Sequence, residues 1–407
     1  MEEVKVSRTV EVTGHLIDSW ILPKILDDLI DLGTEFIIHR LEVGRGRTDR
    51  SYARIEILAT DTATLDVALE DMRRLGATPV DVDEVRTMPA PASGVFPEAF
   101  YATTNLPTFV RLDGQWVAAA NPEMDCGILV EENLARTVPM DEVLEGQHIV
   151  VGNSGIKVEP LERPRIPMSM FHFMGSSVSS EKPKTLAIKE IAGQIKTAKK
   201  AGGKVLFVVG PAVIHVGAKN YIAMLIEGRQ IDYLFAGNGL ATHDIEAALF
   251  GTSLGIPISG GLPPASGHEH HLRTINRIRA AGGIRPAVES GLITSGVMYS
   301  CVKQGVKYVL AGSIRDDGPL PDTITDTMVA QRAMRQCIQD GVTVAIMLST
   351  MLHSIAVGNL LPANVYTVCV DINQGTLTKL IDRGSHQTVG LVMDVHSFLQ
   401  DLTQALL

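Results

Sequence analysis

The stretch Asp232-Tyr-Leu-Phe-Ala-Gly-Asn-Gly-Leu-Ala-Thr-His-Asp-Ile-Glu-Ala-Ala-Leu249 decides the fold. Its apolar run from Asp232 to Ala236 reads as a buried strand, Gly237 to Thr242 as a glycine turn, and His243 onward as the start of a helix. Strand, short turn, helix is the unit from which parallel sheets are built, since parallel strands need a crossover connection. The turn spells G-x-G-x-x-T rather than G-x-G-x-x-G, so as a dinucleotide fingerprint it is weak on its own, and a plain strand-to-helix turn explains it as well. Asp244 and Glu246 fall in the first helical turn on this reading, where they complement the helix dipole and would repel a pyrophosphate.

The same grammar repeats on both sides. Leu186 to Ala201 has helical spacing and stops at Gly202-Gly203; apolar strands are expected at Lys204 to Val209, Ile256 to Ser259, Lys307 to Ala311, Val342 to Leu348, Tyr366 to Val370 and Val389 to Met393. Apolar runs separated by helices are the signature of a parallel sheet covered on both faces. Residues 180–407 are therefore expected to form a doubly wound, mostly parallel, Rossmann-like α/β domain that binds a nucleotide.

Upstream the periods differ. Val4 to Val12, Phe36 to Val43, Tyr52 to Ala59 and Pro79 to Val82 read as strands, with helices at Ile21 to Ile30 and Leu65 to Leu75 stopped by Gly33 and Gly76. The order β-α-β-β-α-β predicts a ferredoxin-like α+β module over residues 1–88, two helices packed on one face of an antiparallel sheet. Its hairpin gathers Arg40, Arg45, Arg47, Arg50 and Arg54, but Glu42, Asp49 and Glu56 are interleaved, which favours a solvated loop over an anion patch. Pro89-Ala-Pro-Ala-Ser-Gly94 reads as a linker. Beyond it, Asp113-Gly114 between two strand-like runs is a hairpin signal, and residues 95–165 are expected to be a small β-rich module.

Composition narrows the function. A chain of 407 residues corresponds to about two to three domains, and 45% apolar with 20% charged residues excludes disorder and fibrous classes. Thirty-six basic against 46 acidic residues leave a net charge of −10, which disfavours nucleic acid and anionic membranes and points to a small-molecule partner. No apolar run approaches the roughly 20 residues that span a bilayer, and no basic, then apolar, leader opens the chain. Cys126, Cys301, Cys337 and Cys369 are scattered without a C-x-x-C pair, as reduced buried thiols of a soluble cytoplasmic protein would be.

In open α/β sheets ligands lie outside the carboxyl ends of the strands. The residues there include Asp316 and Asp317 after Lys307 to Ala311, Asp371 after the strand at Tyr366, and Asp394 after the strand at Val389. These three strand ends are expected to be neighbours presenting carboxylates toward one rim, suited to ribose hydroxyls or to the ammonium groups of an amino acid; a single such aspartate would ordinarily cap a helix. Ser349-Thr350-Met-Leu-His353 could cradle phosphate at a helix start or simply cap it. His268-Glu-His-His271 lacks the H-E-x-x-H spacing and a nearby cysteine, so it reads as an exposed or helix-starting cluster and no metal is expected. No P-loop is present.

With this order laid out, the chain resembles the archaeal and cyanobacterial ornithine cyclodeaminases, which carry an N-terminal LOR/SDH region and differ from the crystallin-like cyclodeaminases. The resemblance covers nearly the whole chain and is carried by Leu41-Glu-Val-Gly, Asp49-Arg-Ser-Tyr-Ala, Asn121-Pro-Glu-Met-Asp-Cys126, Phe235-Ala-Gly-Asn-Gly-Leu-Ala-Thr-His-Asp-Ile-Glu246, Gly312-Ser-Ile-Arg-Asp-Asp317, Met347-Leu-Ser-Thr-Met-Leu352 and Val370-Asp371. It implies a nucleotide domain similar to that of deoxyhypusine synthase. It also implies an NAD-dependent lyase that converts L-ornithine to L-proline and ammonia through a transient hydride transfer to bound NAD+. The matching cofactor positions are Asn238, Gly239, Asp316 or Asp317, Thr350, Met351, Leu352, Asp371, Asp394 and Val395; Gly239 stands where the family often has alanine. Proton transfer or ammonium binding falls first to Asp316 and Asp317, and after them to His243 or Lys219. A homo-oligomer of unspecified size is expected. Two other readings stay open: a saccharopine-type NAD-dependent amino-acid dehydrogenase, which would accumulate NADH, and a non-catalytic protein that senses NAD or an amino acid. With no guanidino-group hydrolase domain in the chain, arginine itself is not expected to be the substrate.

Overall fold

The computed structural model describes residues 5–17, 19–45, 49–80, 83–160, 178–179, 184–258, 267–316, 318–382 and 388–407. They divide into two units, Met1–Met174 and Gly175–Leu407.

The first unit holds two sheets. β1 (Val6–Gly14), α1 (Ile21–Asp31), β2 (Glu35–Glu42), β3 (Ser51–Ala59), α2 (Thr62–Arg74) and β4 (Thr78–Pro79) form an antiparallel sheet of order β2-β3-β1-β4. Strict alternation on β3 buries Ala53, Ile55 and Ile57 against Ile25 and Leu29 of α1 and Ala68 and Met72 of α2, which is the ferredoxin-like arrangement. The hairpin cations are matched locally. Arg40 bonds Glu42 and lies over the Tyr52 ring, and Arg54 lies 3.8 Å from Glu11; Arg47 is outside the described residues.

The second sheet comprises β5 (Arg86–Pro89), β6 (Thr108–Leu112), β7 (Gln115–Ala120), β8 (Gly127–Glu131), β9 (Leu134–Val138), β10 (His148–Val151) and β11 (Ile156–Val158), in the order β11-β6-β7-β9-β8-β10-β5. Asp113 (φ 49°) and Gly114 (φ 76°) both take the left-handed conformation that the tight β6–β7 hairpin needs. The linker expected at Pro89 to Gly94 is corrected. Pro89 pairs with His148, the Ala90 N–H donates to the Gln147 carbonyl (2.8 Å), and Ala90 is buried. β5 is an edge strand, where a proline costs no ladder hydrogen bond, so a proline-rich stretch can close the sheet.

The second unit is an eight-stranded sheet, parallel throughout, wrapped in helices. In chain order its elements are β12 (Val178–Ser179), α3 (Lys184–Lys200), β13 (Lys204–Val209), α4 (Ala212–His215), α5 (Lys219–Glu227), β14 (Tyr233–Gly237) and α6 (Asn238–Phe250). A small hairpin of β15 (Thr252–Ser253) and β16 (Ile256–Pro257) follows, then α7 (His270–Ala281), α8 (Ile284–Glu289), α9 (Val297–Gln304), β17 (Lys307–Ala311), β18 (Thr323–Ile324) and α10 (Thr327–Gln339). The chain finishes with β19 (Val342–Leu348), α11 (Met351–Leu360), β20 (Tyr366–Asp371), α12 (Gln374–Asp382), β21 (Thr388–Val392) and α13 (Val395–Leu406). Val205, Phe207 and Val209 of β13 face one core with α3, α5, α6, α9 and α13, while Leu206 and Val208 face another with α10, α11 and α12. Burial on both faces is why this strand is apolar at every position rather than at alternate ones. The strand expected at Ile256 to Ser259 is corrected: Ile256 and Pro257 pair antiparallel with β15 outside the main sheet, Ile256 is largely exposed, and Ser259 lies outside the described residues. Among the described residues no helix is long and apolar enough to cross a membrane, and all four cysteines are free and buried.

The strand order is β12-β21-β20-β19-β13-β14-β17-β18. From the edge strand β12 the chain crosses to mid-sheet at β13, winds outward through β14, β17 and β18, then returns to lay β19 on the other side of β13. The winding direction reverses between β13 and β19, and there the two strand ends touch. The Gly210 N–H donates to the Leu348 carbonyl (2.8 Å), and a Cβ on Gly210 would stand 2.0 Å from the Ser349 carbonyl oxygen. Gly239, one strand over, has nothing nearer than Pro211 at 3.9 Å. We therefore expect Gly210→Ala to destabilise the protein by about 1–3 kcal/mol, and Gly239→Ala to be neutral or slightly stabilising because it replaces a helical glycine. Thermal unfolding of both variants checks this; equal effects would contradict it.

Candidate active site

All strands of the eight-stranded sheet run parallel, so their carboxyl ends share one edge, and the crevice of such a sheet opens where the winding reverses. Two helices start beside that point. α6 follows β14 with Gly237 as its N-cap, and α11 follows β19 with Thr350 as its N-cap. Neither cap side chain bonds the helix, and neither first turn holds an acidic residue. Each start therefore presents backbone N–H groups and the positive end of a helix dipole, which suits an anion.

This overturns one expectation. The helix begins at Asn238, not His243, because β14 passes into α6 with no intervening loop. Asp244 and Glu246 consequently sit well inside the helix, completely buried and turned to other partners. Asp244 Oδ2 accepts from the Met298 N–H (2.8 Å) at the start of α9, and burial pushes its carboxyl pKa up. Glu246 accepts from the Thr252 hydroxyl and the Gly255 N–H, each at 2.8 Å. Neither carboxylate stands where it would repel an anion at the helix start.

The expected cofactor residues lie along this edge in different conditions. Asn238 Oδ1 accepts from Leu320 N–H (3.0 Å), Thr323 Oγ1 (3.2 Å) and Thr242 Oγ1 (3.3 Å), so its side chain ties down the loop after β17. Gly239 faces open space next to Pro211, so an alanine would fit there. Met351 is half-buried near Lys379 Nζ, while Leu352 is 70% exposed. Asp371 ends β20 with Oδ1 accepting from Asn373 N–H (2.8 Å). Asp394 caps α13 through Ser397 N–H (2.9 Å) and Oγ (3.0 Å), and the Ser397 amide holds its carboxyl below the usual range. Val395 is packed in the core, so only its backbone is at hand. Asp316 Oδ2 accepts from Ser313 N–H (2.8 Å), committing one oxygen to its own turn; Asp317 lies outside the described residues.

The three carboxylate-bearing strand ends are not all neighbours. β20 and β21 adjoin, but β17 lies across β19, β13 and β14 from β20. The acidic groups therefore flank the crevice from two sides. Exposed Ile314, Leu352 and Ile372 stand on the same rim, in the segments that follow β17, β19 and β20.

Further polar residues surround these positions; Lys219 and the His268–His271 cluster were considered from the sequence, whereas no role was given there to His215 or His353. The His353 ring on α11 lies 3.0 Å from where a Cβ of Gly237 would be, which explains that glycine. Burial pushes the His353 pKa down, and Asp316 acts in the opposite direction. His215, hidden in sequence within an apolar run, has its ring centroid 4.9 Å from that of His243. His270 begins α7 and stacks on Phe250 at 4.6 Å, while its Nδ1 lies 2.8 Å from Thr252 Oγ1. Lys219 begins α5 and exerts its charge on buried Asp244. Among the described residues no cluster of three or more His, Cys, Asp or Glu side chains could hold a metal ion.

Comparison with known proteins gives concordant matches along the chain. Residues 189–402 match the family described as arginine dihydrolase ArgZ-like, C-terminal, Rossmann fold; residues 7–106 match the LOR/SDH bifunctional enzyme conserved region, and residues 107–188 the ArgZ-like C-terminal first region. An ornithine cyclodeaminase of Methanopyrus kandleri is 50% identical over 399 residues, covering 98% of this chain and 96% of that one. The crystal structure of a conserved LOR/SDH protein from Methanococcus maripaludis superposes with a TM-score of 0.75 at 48% identity, covering 80% of this chain and 98% of that one. The ternary complex of AgrE with ornithine and NAD+ has a TM-score of 0.53 at 39% identity, covering 99% of this chain and 57% of that one; AgrE of Nostoc is a bifunctional arginine dihydrolase/ornithine cyclodeaminase. The chain belongs to the archaeal and cyanobacterial ornithine cyclodeaminase family.

Proposed function

We propose that this chain is an NAD-dependent ornithine cyclodeaminase, converting L-ornithine to L-proline and ammonia. The observation that carries the reading is the pair of helix starts beside the sheet's reversal point, free of side-chain caps and acidic residues, built from positions that match the family's cofactor contacts. The residues fit the dinucleotide. Backbone N–H groups at Asn238 and Gly239, and at Thr350, Met351 and Leu352, suit its phosphates. Asp371 suits a ribose hydroxyl, and the exposed Leu352 suits a flat ring face. Asp394, Val395 and the loop of Asp316 and Asp317 complete the set. Gly210 itself puts no side chain between the strand ends.

When bound, NAD+ supplies a reversible hydride acceptor for the substrate α-carbon, which explains a redox cofactor in a reaction without net redox change. The chain's own work is to orient a diamino acid, exclude water and move protons between its amines. Asp316 and Asp317 are placed by this reading at the ammonium end of ornithine. Homo-oligomeric assembly is part of the proposal, supported by exposed Ile37, Ile38 and Leu41 on the edge strand β2. A cytoplasmic location is also part of it, supported by four free, buried thiols.

Incubated with NAD+ and L-ornithine, the purified protein should form proline and ammonia in equal amounts with no net NADH absorbance. Accumulating NADH would favour a dehydrogenase, and ligand-induced thermal stabilisation without product a sensor. Asp371 and Asp394 should separate binding from folding. Asp371→Asn, which keeps an acceptor for Asn373 N–H, should weaken NAD binding by about 10-fold or more, the loss of a bond to a charged group. Asp394→Ala removes a helix cap and should cost about 1 kcal/mol of stability near neutral pH. Because the Asp394 pKa is lowered on folding, that contribution is present above the ordinary carboxylate pKa and disappears as pH falls through the folded value, so wild type and variant should converge in acid. Calorimetric NAD titration and pH-dependent unfolding check the two outcomes.

A further inference from the structure

On the α4–α6 side of the strand ends lies a hydrogen-bonded chain that none of the proposed cofactor contacts uses. Its centre is Glu246, whose side chain has no solvent exposure. Oε1 accepts from Thr252 Oγ1 (2.8 Å) and Gly255 N–H (2.8 Å); Oε2 accepts from Leu254 N–H (3.2 Å) and lies 3.0 Å from His243 Nδ1. Thr252 Oγ1 in turn lies 2.8 Å from His270 Nδ1, and His215 Nδ1 lies 2.7 Å from Ser253 Oγ.

One carboxylate assigns the protons along this chain. Burial raises the Glu246 pKa, but the bonds from His243, Gly255 and Thr252 outweigh it and hold the group below its ordinary value, hence ionised. An ionised carboxylate only accepts. His243 must therefore carry its proton on Nδ1, which leaves the lone pair of the neutral ring on Nε2. Thr252 spends its one hydroxyl proton on Glu246, so His270 must donate from its own Nδ1.

Position ties the chain to the site. Gly239 and His243 are four residues apart, so they share one face of α6 about 6 Å apart along the axis. Opposite them stand Pro211, the nearest group to Gly239, and His215, whose ring pairs with His243 at 4.9 Å. The lower rung of this ladder is a proposed cofactor contact and the upper rung is a pair of imidazoles. The His243 side chain keeps 12% exposure where Glu246 has none, so part of the ring is accessible while the carboxylate is not.

We infer that His243 is the catalytic residue that moves the proton between the two amines of the substrate, with Glu246 as the positioning residue that fixes its tautomer; this rests on the cyclodeaminase reading. In the α-imino form of ornithine, Nε2 takes a proton from the δ-ammonium group, and the freed δ-nitrogen forms its bond to the α-carbon. The imidazolium returns that proton to the α-nitrogen, and the ring then carries a second proton from the now cationic δ-nitrogen to the α-nitrogen, whose bond to the same carbon breaks as ammonia leaves and the δ-nitrogen closes its double bond to that carbon. The residue ends as it began, and neither acid nor base is consumed.

The test needs two readouts. In the ligand-free protein, long-range proton–nitrogen NMR of labelled histidines should find His243 protonated on Nδ1 and bare on Nε2. In Glu246→Gln, whose amide can donate to Nδ1, the proton should move to Nε2. His243→Asn keeps an N–H donor for Glu246 but lacks the second nitrogen. Its kcat should fall by about 10²–10⁴-fold, with its melting temperature unchanged and calorimetric NAD affinity within about threefold of wild type. A wild-type His243 protonated on Nε2, or a His243→Asn variant that keeps its kcat while His353→Gln loses it, would overturn the assignment. Wild-type protein that makes no proline would overturn the underlying reading instead, and the tautomer signature would show which of the two had failed.

Discussion

The second unit depends on one backbone contact, the bond from Gly210 to Leu348 at the carboxyl ends of β13 and β19. The connections after β13 and β19 lead to strands on opposite sides of the pair, and the loops that follow would ordinarily fill the gap between the strand ends with side chains. Here the closest contact across the gap is between backbones, with the Thr350 Cβ just behind it. Ser349, in a left-handed conformation (φ 47°), turns its chain back, and Gly210 has no Cβ to keep the two segments apart. α4 and α11 therefore begin within reach of one another, which α6, starting from the next strand, also shares.

Helix starts show where the fold gives up stability for function. α2, α10 and α13 are capped by Asp61, Asp326 and Asp394, each accepting backbone N–H bonds. α6 and α11 lack such bonds from Gly237 and Thr350, forgoing a few tenths of a kcal/mol at the glycine and about 1 kcal/mol at the threonine. The acidic residues nearest to α6 are spent inward instead, Asp244 on the start of α9 and Glu246 on the segment from Thr252 to Gly255. Glu246 is met by the backbone N–H groups of Leu254 and Gly255, and Asp244 by the Met298 N–H on one oxygen, and their inward placement leaves the helix entrance electrostatically clear.

Much of this architecture was legible in the sequence because it is periodic. Alternation on β3 and the continuous apolar runs of β13 and β19 distinguish a sheet covered on one face from one covered on both, and Asp113-Gly114 announces its hairpin. What escaped is what periodicity does not encode. Pro89 to Gly94 has the composition of a linker, yet an edge strand accepts its proline. Gly237 and Gly239 look like a loop, yet one is the helix cap and the other the second helical residue. The acidic strand ends follow one another in sequence, but the reversal of winding after β18 puts β17 on the far side of β13 from β20 and β21. The partnership of His243 and Glu246 is a helical neighbour pair visible in sequence, whereas His215, Thr252 and His270 join it only through tertiary structure.

The central claim is that hydrogen is lent by the substrate α-carbon and returned to it within one closed site. L-ornithine carrying deuterium on its α-carbon tests this most directly. Turnover in ordinary water should give proline that still bears the deuterium on its α-carbon, with one ammonia released per proline. Proline that has lost the deuterium, or deuterium accumulating in free reduced cofactor, would contradict the account.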